Sequence, residues 1–201
     1  MLFRSVLAVP VRTQLIVVDD GSTDGTREIL ARLERELGFT VVLQPRNQGK
    51  GAALRRGFDE VRGDIVVIQD ADLEYDPFDW PGLLEPIVDG RADAVFGSRF
   101  LGGPHRVLYF WHSVGNAVLT TFSNMLTNLN LTDMETCYKI MRTDVARSLA
   151  LDANRFDIEP QITARVLRGG HRIHELPVTF DPRSRAQGKK IGWRDGEIGR
   201  A

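Results

Sequence analysis

Four short runs of β-branched and aliphatic residues punctuate the first half of the chain. They are Leu15-Ile16-Val17-Val18, Thr40-Val41-Val42-Leu43, Ile65-Val66-Val67-Ile68 and Ala94-Val95-Phe96. Their apolar residues are consecutive, as in strands covered on both faces. Between them lie stretches of helical spacing. Residues 26–37 place Ile29, Leu30, Leu33 and Leu37 on one face, and residues 51–61 do the same with Leu54, Phe58 and Val61. Residues 83–88 supply another helix. Strand and helix in this alternation predict an α/β fold, with a mostly parallel sheet and helices on both faces.

The second half changes character. Residues 107–131 read as one long, moderately apolar helical region, and residues 137–141 as a strand. Residues 159–167 form a helix stopped by Gly169-Gly170, and residues 172–180 alternate as a strand. After Asp181 the pattern gives way to a loop rich in Arg, Gly and Lys.

The chain has 201 residues, which suits a single domain that needs no staples. A net charge of −1 argues against nucleic acid as a partner, although Arg183, Arg185, Lys189, Lys190 and Arg194 gather into a local cationic segment. The sole cysteine, Cys137, excludes an internal disulfide and a Cys-based zinc site, and fits a reducing compartment. No apolar run reaches the ~18 residues of a transmembrane helix. Residues 2–11 lack a signal-peptide layout. His105, His112, His171 and His174 show no metal-ligand spacing.

In open α/β sheets, ligands bind beyond the carboxyl ends of the strands. Three polar clusters fall there: Asp19-Asp20-Gly21, Asp70-Ala71-Asp72, and Gly97-Ser98-Arg99. Parallel strands would bring all three to one rim. Asp70, Asp72, Glu74 and Asp76 crowd four carboxylates into seven positions, so something positive belongs among them. Asp70 and Asp72, two residues apart on an extended segment, point the same way and can hold a hard divalent cation that also meets a substrate diphosphate. The alternative is that Asp72 or Asp76 caps the following turn.

Asp19 and Asp20 precede a tight turn at Gly21, where an acid can accept from a nucleobase or a ribose. Asp24 reads as a helix cap. Asn47-Gln48-Gly49-Lys50-Gly51 precedes a helix, where amides suit an anion, but it lacks P-loop spacing and reads equally well as a closely packed loop. Asp133 and Glu135 are candidates for a base or for an acceptor contact; the alternative is a helix-to-strand turn. Residues 183–190 can close over a diphosphate, or can be a solvated tail. A phospho-aspartate nucleophile is disfavoured, because Glu74 occupies the fifth position of the D-x-D-x-[TV] pattern.

The segments "IVVDDGSTDGT", "NQGKGAALRRGF", "DIVVIQDADLEYDP", "FGSRF", "TDMETCYKIMR", "RFDIEPQITARVLRGG" and "PRSRAQGKKIGWRDG" together resemble the family 2 glycosyltransferases. Within them the likeness is to polyprenyl-phosphate sugar synthases of the dolichol-phosphate mannose synthase type. The resemblance implies a glycosyltransferase A-type fold over residues 1–201, with a nucleotide-sugar and metal half at 6–100, an acceptor half at 101–182, and a basic loop and tail at 183–201. It implies inverting transfer of a hexose from GDP-mannose or UDP-glucose to a polyprenyl phosphate, with Mg²⁺ or Mn²⁺ at the diphosphate. A saccharide hydroxyl as acceptor, or an impaired nucleotide-sugar-binding fragment, are the alternatives.

By this likeness Asp19, Asp20, Gly21, Lys50, Asp70, Ala71, Glu74, Arg185 and Lys189 line the donor site. Asp70 and Asp72 meet the metal, Arg99 faces the acceptor phosphate, and Asp133 lies near the acceptor. The expected location is cytoplasmic, with peripheral contact on the cytoplasmic face of the membrane. Relatives begin with a further strand that would lie inside the sheet beside the one ending at Asp19; here Met1-Leu2-Phe3-Arg4-Ser5 stands in its place. The resemblance therefore implies an N-terminally shortened domain.

Overall fold

The apolar runs form the expected strands, and the side chains of each strand part to two faces. The structure, a computed structural model, describes residues 2–102 and 110–182. The order is α1 (Leu2–Ala8), β1 (Ile16–Asp19), α2 (Thr26–Leu37), β2 (Thr40–Leu43), α3 (Lys50–Phe58) and β3 (Ile65–Val67). A 3-10 turn (Pro77–Asp79), α4 (Trp80–Val88) and β4 (Ala94–Ser98) follow. The rest is α5 (Phe110–Thr127), β5 (Lys139–Arg142), α6 (Thr143–Ser148), α7 (Ile158–Arg168) and β6 (Ile173–Pro177).

β4 is buried along its whole length and organises the core. Phe96 faces one side with Val66 and Met141, against Val145 of α6 and Ile158, Ile162 and Val166 of α7. Val95 faces the other side with Ile140 and Tyr138, against Trp80, Leu83 and Ile87 of α4 and Val6 of α1. α1 and α6 are additions to the elements expected from sequence. Both are short and owe their place to this packing rather than to a strong period of their own.

The sheet is mixed. β1 pairs with β2 in parallel, and β4 with β6 in parallel. β5 lies antiparallel between β3 and β4, giving the order β3-β5-β4-β6. β3 and β4 both oppose β5, so they run the same way and their carboxyl ends share an edge. β1 and β2 form a separate two-stranded sheet. Among the described residues no ladder joins β1 to β3, the position at which the resemblance implies a further strand.

The turns leading into β4 and β6 are tied by the ion pair of Asp93 and Arg172. Asp93 Oδ2 accepts from Arg172 Nε at 3.0 Å and from its backbone N–H at 2.9 Å, and Oδ1 accepts from Nη2 at 3.1 Å. These bonds hold the Asp93 carboxyl down at about 2. The unfolded value is about 3.9, so this stabilisation is full above that pH and is lost as pH falls through the folded value. Asp93→Asn is expected to cost about 1 kcal/mol at neutral pH. Thermal melts of the two proteins should differ at pH 7 and converge as the pH is lowered.

Candidate active site

The positive charge expected among the crowded carboxylates is present, and it is Lys50. Lys50 opens α3, and its Nζ lies 2.8 Å from Asp70 Oδ1 and 2.7 Å from Glu159 Oε1 of α7. Burial alone would lower the Lys50 pKa, but the two carboxylates outweigh it and hold the group above its ordinary value. Lys50, which the resemblance assigns to the donor site, bridges two acids of the chain. Glu159 is buried and its Oε2 has no partner. Sequence offered no signal for Glu159, since an acid in the first turn of a helix is ordinary.

The loop before α3 is packed backbone to backbone. A methyl at Gly51 would meet Ala153 O at 2.2 Å, and one at Gly49 would meet Asn154 O at 2.3 Å. Ala52 N–H donates to Asn154 O at 3.2 Å. This is the closely packed reading of the Asn47–Gly51 segment. It explains the glycines without an anion.

Asp19 and Asp20 bind the chain itself. Asp19 is buried and accepts from Ser22 N–H at 3.1 Å and from Arg27 Nε at 2.8 Å. Burial pushes its pKa up, yet the bonds from Ser22 and Arg27 prevail and lower it. Asp20 accepts from Gln44 Nε2, Gln48 N–H and Gly49 N–H, each at 2.8 Å. Both carboxylates were expected to meet the nucleotide; Asp20 instead staples the loop of Lys50 to the end of β1. Gly21, at φ +80°, lies so close to Arg46 and Asn47 that only glycine fits. Asp24 is not the N-cap of α2, which is Gly25 with no side-chain cap bond; one residue earlier, its Oδ1 accepts from Thr26 N–H at 3.2 Å in a local turn.

On the rim beyond β3, Ala71 is exposed and Asp72 half-buried. Asp72 Oδ1 accepts from Glu74 N–H at 3.1 Å, and Asp76 caps the 3-10 turn through Phe78 N–H at 3.0 Å. The capping role therefore belongs to Asp76, while Asp72 joins a local turn. Glu74 O accepts from Asp181 N–H at 2.8 Å, and Tyr75 bridges Phe180. The chain thus enters residues 183–190 from beside the acidic rim. Arg185 and Lys189, together with Arg183, Lys190, Arg194 and His105, lie outside the described residues.

At the end of β4, Arg99 and Asp133 form a fork. Arg99 Nε donates to Asp133 Oδ2 and Nη2 to Oδ1, both at 2.7 Å, and Arg99 N–H donates to Oδ2 at 3.0 Å. Nη2 also donates to Asn116 Oδ1 of α5 at 3.0 Å. The guanidinium stacks over Phe180 at 5.2 Å from the ring centroid. Asp133 is fully buried. This candidate base or acceptor contact gives both of its oxygens to Arg99 and so anchors that cation. Glu175 accepts from Thr132 and Asp133 N–H at 2.9 and 3.0 Å and fixes the anchor in turn. Asn116 and Glu175 lie far apart in sequence, and no motif pointed to them.

Between the two clusters runs the segment from Asp133 to Lys139. Lys139 is fully buried, donates to Met134 O at 2.8 Å and Thr136 O at 2.7 Å, and lies 5.2 Å from the Phe96 ring. Burial lowers its pKa. Burial also raises the pKa of Glu135, against the attraction of Lys139. Cys137 is buried beside Asp70, and burial raises its thiol well above the ordinary value.

Among the described residues no group of three or more His, Cys, Asp or Glu side chains forms a metal cage. That is compatible with Mg²⁺ or Mn²⁺, which bind through one or two carboxylates and complete their shell with water and substrate phosphates. Asp72 and the lysine-paired Asp70 could supply such a partial set.

The sequence matches the family described as Glycosyl transferase family 2 over residues 2–150. It is 32% identical over 200 residues to the undecaprenyl-phosphate mannosyltransferase of Micrococcus luteus, covering 94% of this chain and 80% of that protein. It is 29% identical over 183 residues to the dolichol-phosphate mannosyltransferase of Pyrococcus furiosus, covering 89% of this chain and 51% of that one. A hexosyltransferase of Haloferax volcanii is 30% identical, with 43% of its length covered, so the chain spans about half or less of some curated relatives. The glucosyl-3-phosphoglycerate synthase of M. tuberculosis, solved with Mn²⁺, UDP and its product, superposes with a TM-score of 0.64 at 22% identity, covering 86% of this chain and 62% of that one. The chain is a member of glycosyl transferase family 2 and has the glycosyltransferase A-type fold.

Proposed function

We propose that the chain transfers a hexose from a nucleotide-diphosphate sugar to a polyprenyl phosphate, with inversion at the anomeric carbon. One observation carries this reading: the ends of β3 and β4 present an acidic pair and a locked arginine on a single sheet edge. A donor diphosphate with its cation suits the first, and an anionic acceptor suits the second. The named activities of the Micrococcus and Pyrococcus relatives support the acceptor class. Donors of the GDP-mannose or UDP-glucose type are consistent with the same relatives and with the UDP-bound neighbour. The acceptor places the reaction at a membrane surface, which we read as the cytoplasmic face.

Asp72, with Asp70 beside it, would hold Mg²⁺ or Mn²⁺. The ion would neutralise the diphosphate and ease its departure. Lys50 holds Asp70 in place through their ion pair. Arg99, fixed by Asp133 and Asn116, orients the acceptor phosphate for in-line attack. An oxygen of that phosphate forms the bond to the anomeric carbon as the bond to the diphosphate breaks. The acceptor oxygen is already anionic near neutral pH, so no protein base is required. Arg185 and Lys189 follow the segment held at Glu74, and we assign them to the charge developing on the leaving group.

The test is a transfer assay with Mn²⁺, either donor and a polyprenyl phosphate, with the anomeric configuration of the product read by NMR. Arg99→Gln is expected to raise the acceptor KM at least about tenfold and to leave the donor KM unchanged. Donor binding by calorimetry without product under any acceptor would identify a binding fragment instead. Glu135, with its raised pKa, favours one other reading, a hydroxyl acceptor deprotonated by that side chain. Under the phosphate reading Glu135→Gln keeps its turnover; under the hydroxyl reading it loses it.

A further inference from the structure

A guanidinium carries five N–H donors in one plane. At Arg99 three of them are committed: Nε and Nη2 donate to Asp133, and Nη2 donates again to Asn116 Oδ1 of α5. α5 turns its polar side inward here, with Thr120 and Ser123 buried. Asn116 Nδ2 donates to Thr120 Oγ1 at 3.4 Å, which directs Oδ1 at Arg99. Among the described residues none accepts from Nη1. Hydrogen bonds in the plane fix an edge of the group, yet they let the plane swing about that edge. A ring against the face stops the swing. Phe180 supplies that ring, its centroid 5.2 Å from the guanidinium carbon. Phe100 lies at 5.6 Å, but it adjoins Arg99 in the chain and moves with it.

Phe180 arrives from the segment after β6, and that segment is itself held. Val178 N–H donates to Ser98 O at 3.0 Å. A methyl at Gly97 would meet Val178 Cγ1 at 2.6 Å, so the segment lies flush on the end of β4. Thr179 N–H donates to Asp79 Oδ2 at 2.6 Å and its hydroxyl to Oδ1 at 3.1 Å. Asp181 N–H donates to Glu74 O at 2.8 Å. Between these ties the half-buried Phe180 ring packs on Tyr75, 5.0 Å between centroids, and Tyr75 packs on Tyr138 at 4.8 Å. The ring is thus fixed independently of the cation it covers. We propose that Phe180 is a positioning residue that holds the plane of Arg99 and so keeps its Nη1 edge turned to the acceptor phosphate. The proposal rests on the polyprenyl phosphate reading and adds to it the group that aims the acceptor cation. A side chain without a ring would fill the space but leave the face of the guanidinium to water, and the plane free to tilt.

The experiment is calorimetric titration of the full chain with citronellyl phosphate, a short, water-soluble polyprenyl phosphate, and separately with UDP in the presence of Mn²⁺. Phe180→Leu should weaken citronellyl phosphate about tenfold and leave UDP unchanged. Phe180→Tyr keeps the ring and should restore the parent's affinity. In the Arg99→Gln background Phe180→Leu should have no further effect, because the ring acts through Arg99. Thermal melting checks the fold, and Phe180→Met repeats the measurement with a second ringless side chain. Parent-like acceptor affinity in the ringless variants overturns the proposal. So does an equal loss in UDP binding, or an undiminished loss in the Arg99→Gln background, since the ring would then support the site at large. A parent chain that does not bind citronellyl phosphate sinks the acceptor reading itself. Binding that Arg99→Gln weakens and Phe180→Leu does not sinks the role of Phe180 alone.

Discussion

Asp72→Asn is expected to reduce glycosyl transfer by about 10³-fold while leaving the melting temperature nearly unchanged. The amide keeps the size of the carboxylate and still accepts from Glu74 N–H through its oxygen, so the local turn survives. What is lost is one negative charge on the rim. Asp70, two residues before it on the same rim, is already paired with Lys50. An ion bound through one or two carboxylates loses most of its protein contribution when one is neutralised. Titration of Mn²⁺ by electron spin resonance in the presence of nucleoside diphosphate should show the same defect without turnover. Full activity of the variant would remove Asp72 from the metal site and with it the donor-side reading.

The second large effect is on stability. Lys50→Ala should lower the free energy of unfolding by about 3–5 kcal/mol, because it strips the cation from a buried Glu159 and from Asp70 together. Glu159 already has one oxygen without a partner and cannot take up another deficit. The double variant Lys50→Met, Glu159→Gln removes both charges of the buried pair, so it should recover much of the loss. Urea denaturation of the three proteins measures this. A single variant within about 0.5 kcal/mol of the parent would mean that the Asp70–Lys50–Glu159 chain contributes nothing.

These two residues divide the legible from the illegible. Asp72 could be picked out from its neighbours, since two acids at alternate positions after a buried strand form a local pattern. Lys50 could be picked out too, but not its partners within the chain. A lysine at the start of a helix between two glycines suggests an anion, and sequence could not show that it pairs with Asp70 and a glutamate of α7. The same holds for Asp20, whose turn at Gly21 was legible while its bonds to Gln48 and Gly49 were not. Asp133 reads in sequence as a candidate base or acceptor contact, while its fork with Arg99 is a tertiary fact.

Sequence alone determined the elements and the family. Apolar runs and helical spacing are local properties, and they fixed β1, β2, β3, β4, α2, α3 and α7 to within a residue or two at most ends. The motif order fixed membership of family 2. Tertiary structure decided the insertion of β5 between β3 and β4, the division of the sheet at β1, and the partner of every charged side chain at the rim. It also decided that α5 turns its polar face inward. The reason is physical. Periodicity records which residues share a face, but not which way that face points, and a charge finds its counterion through space across separations along the chain that carry no sequence pattern.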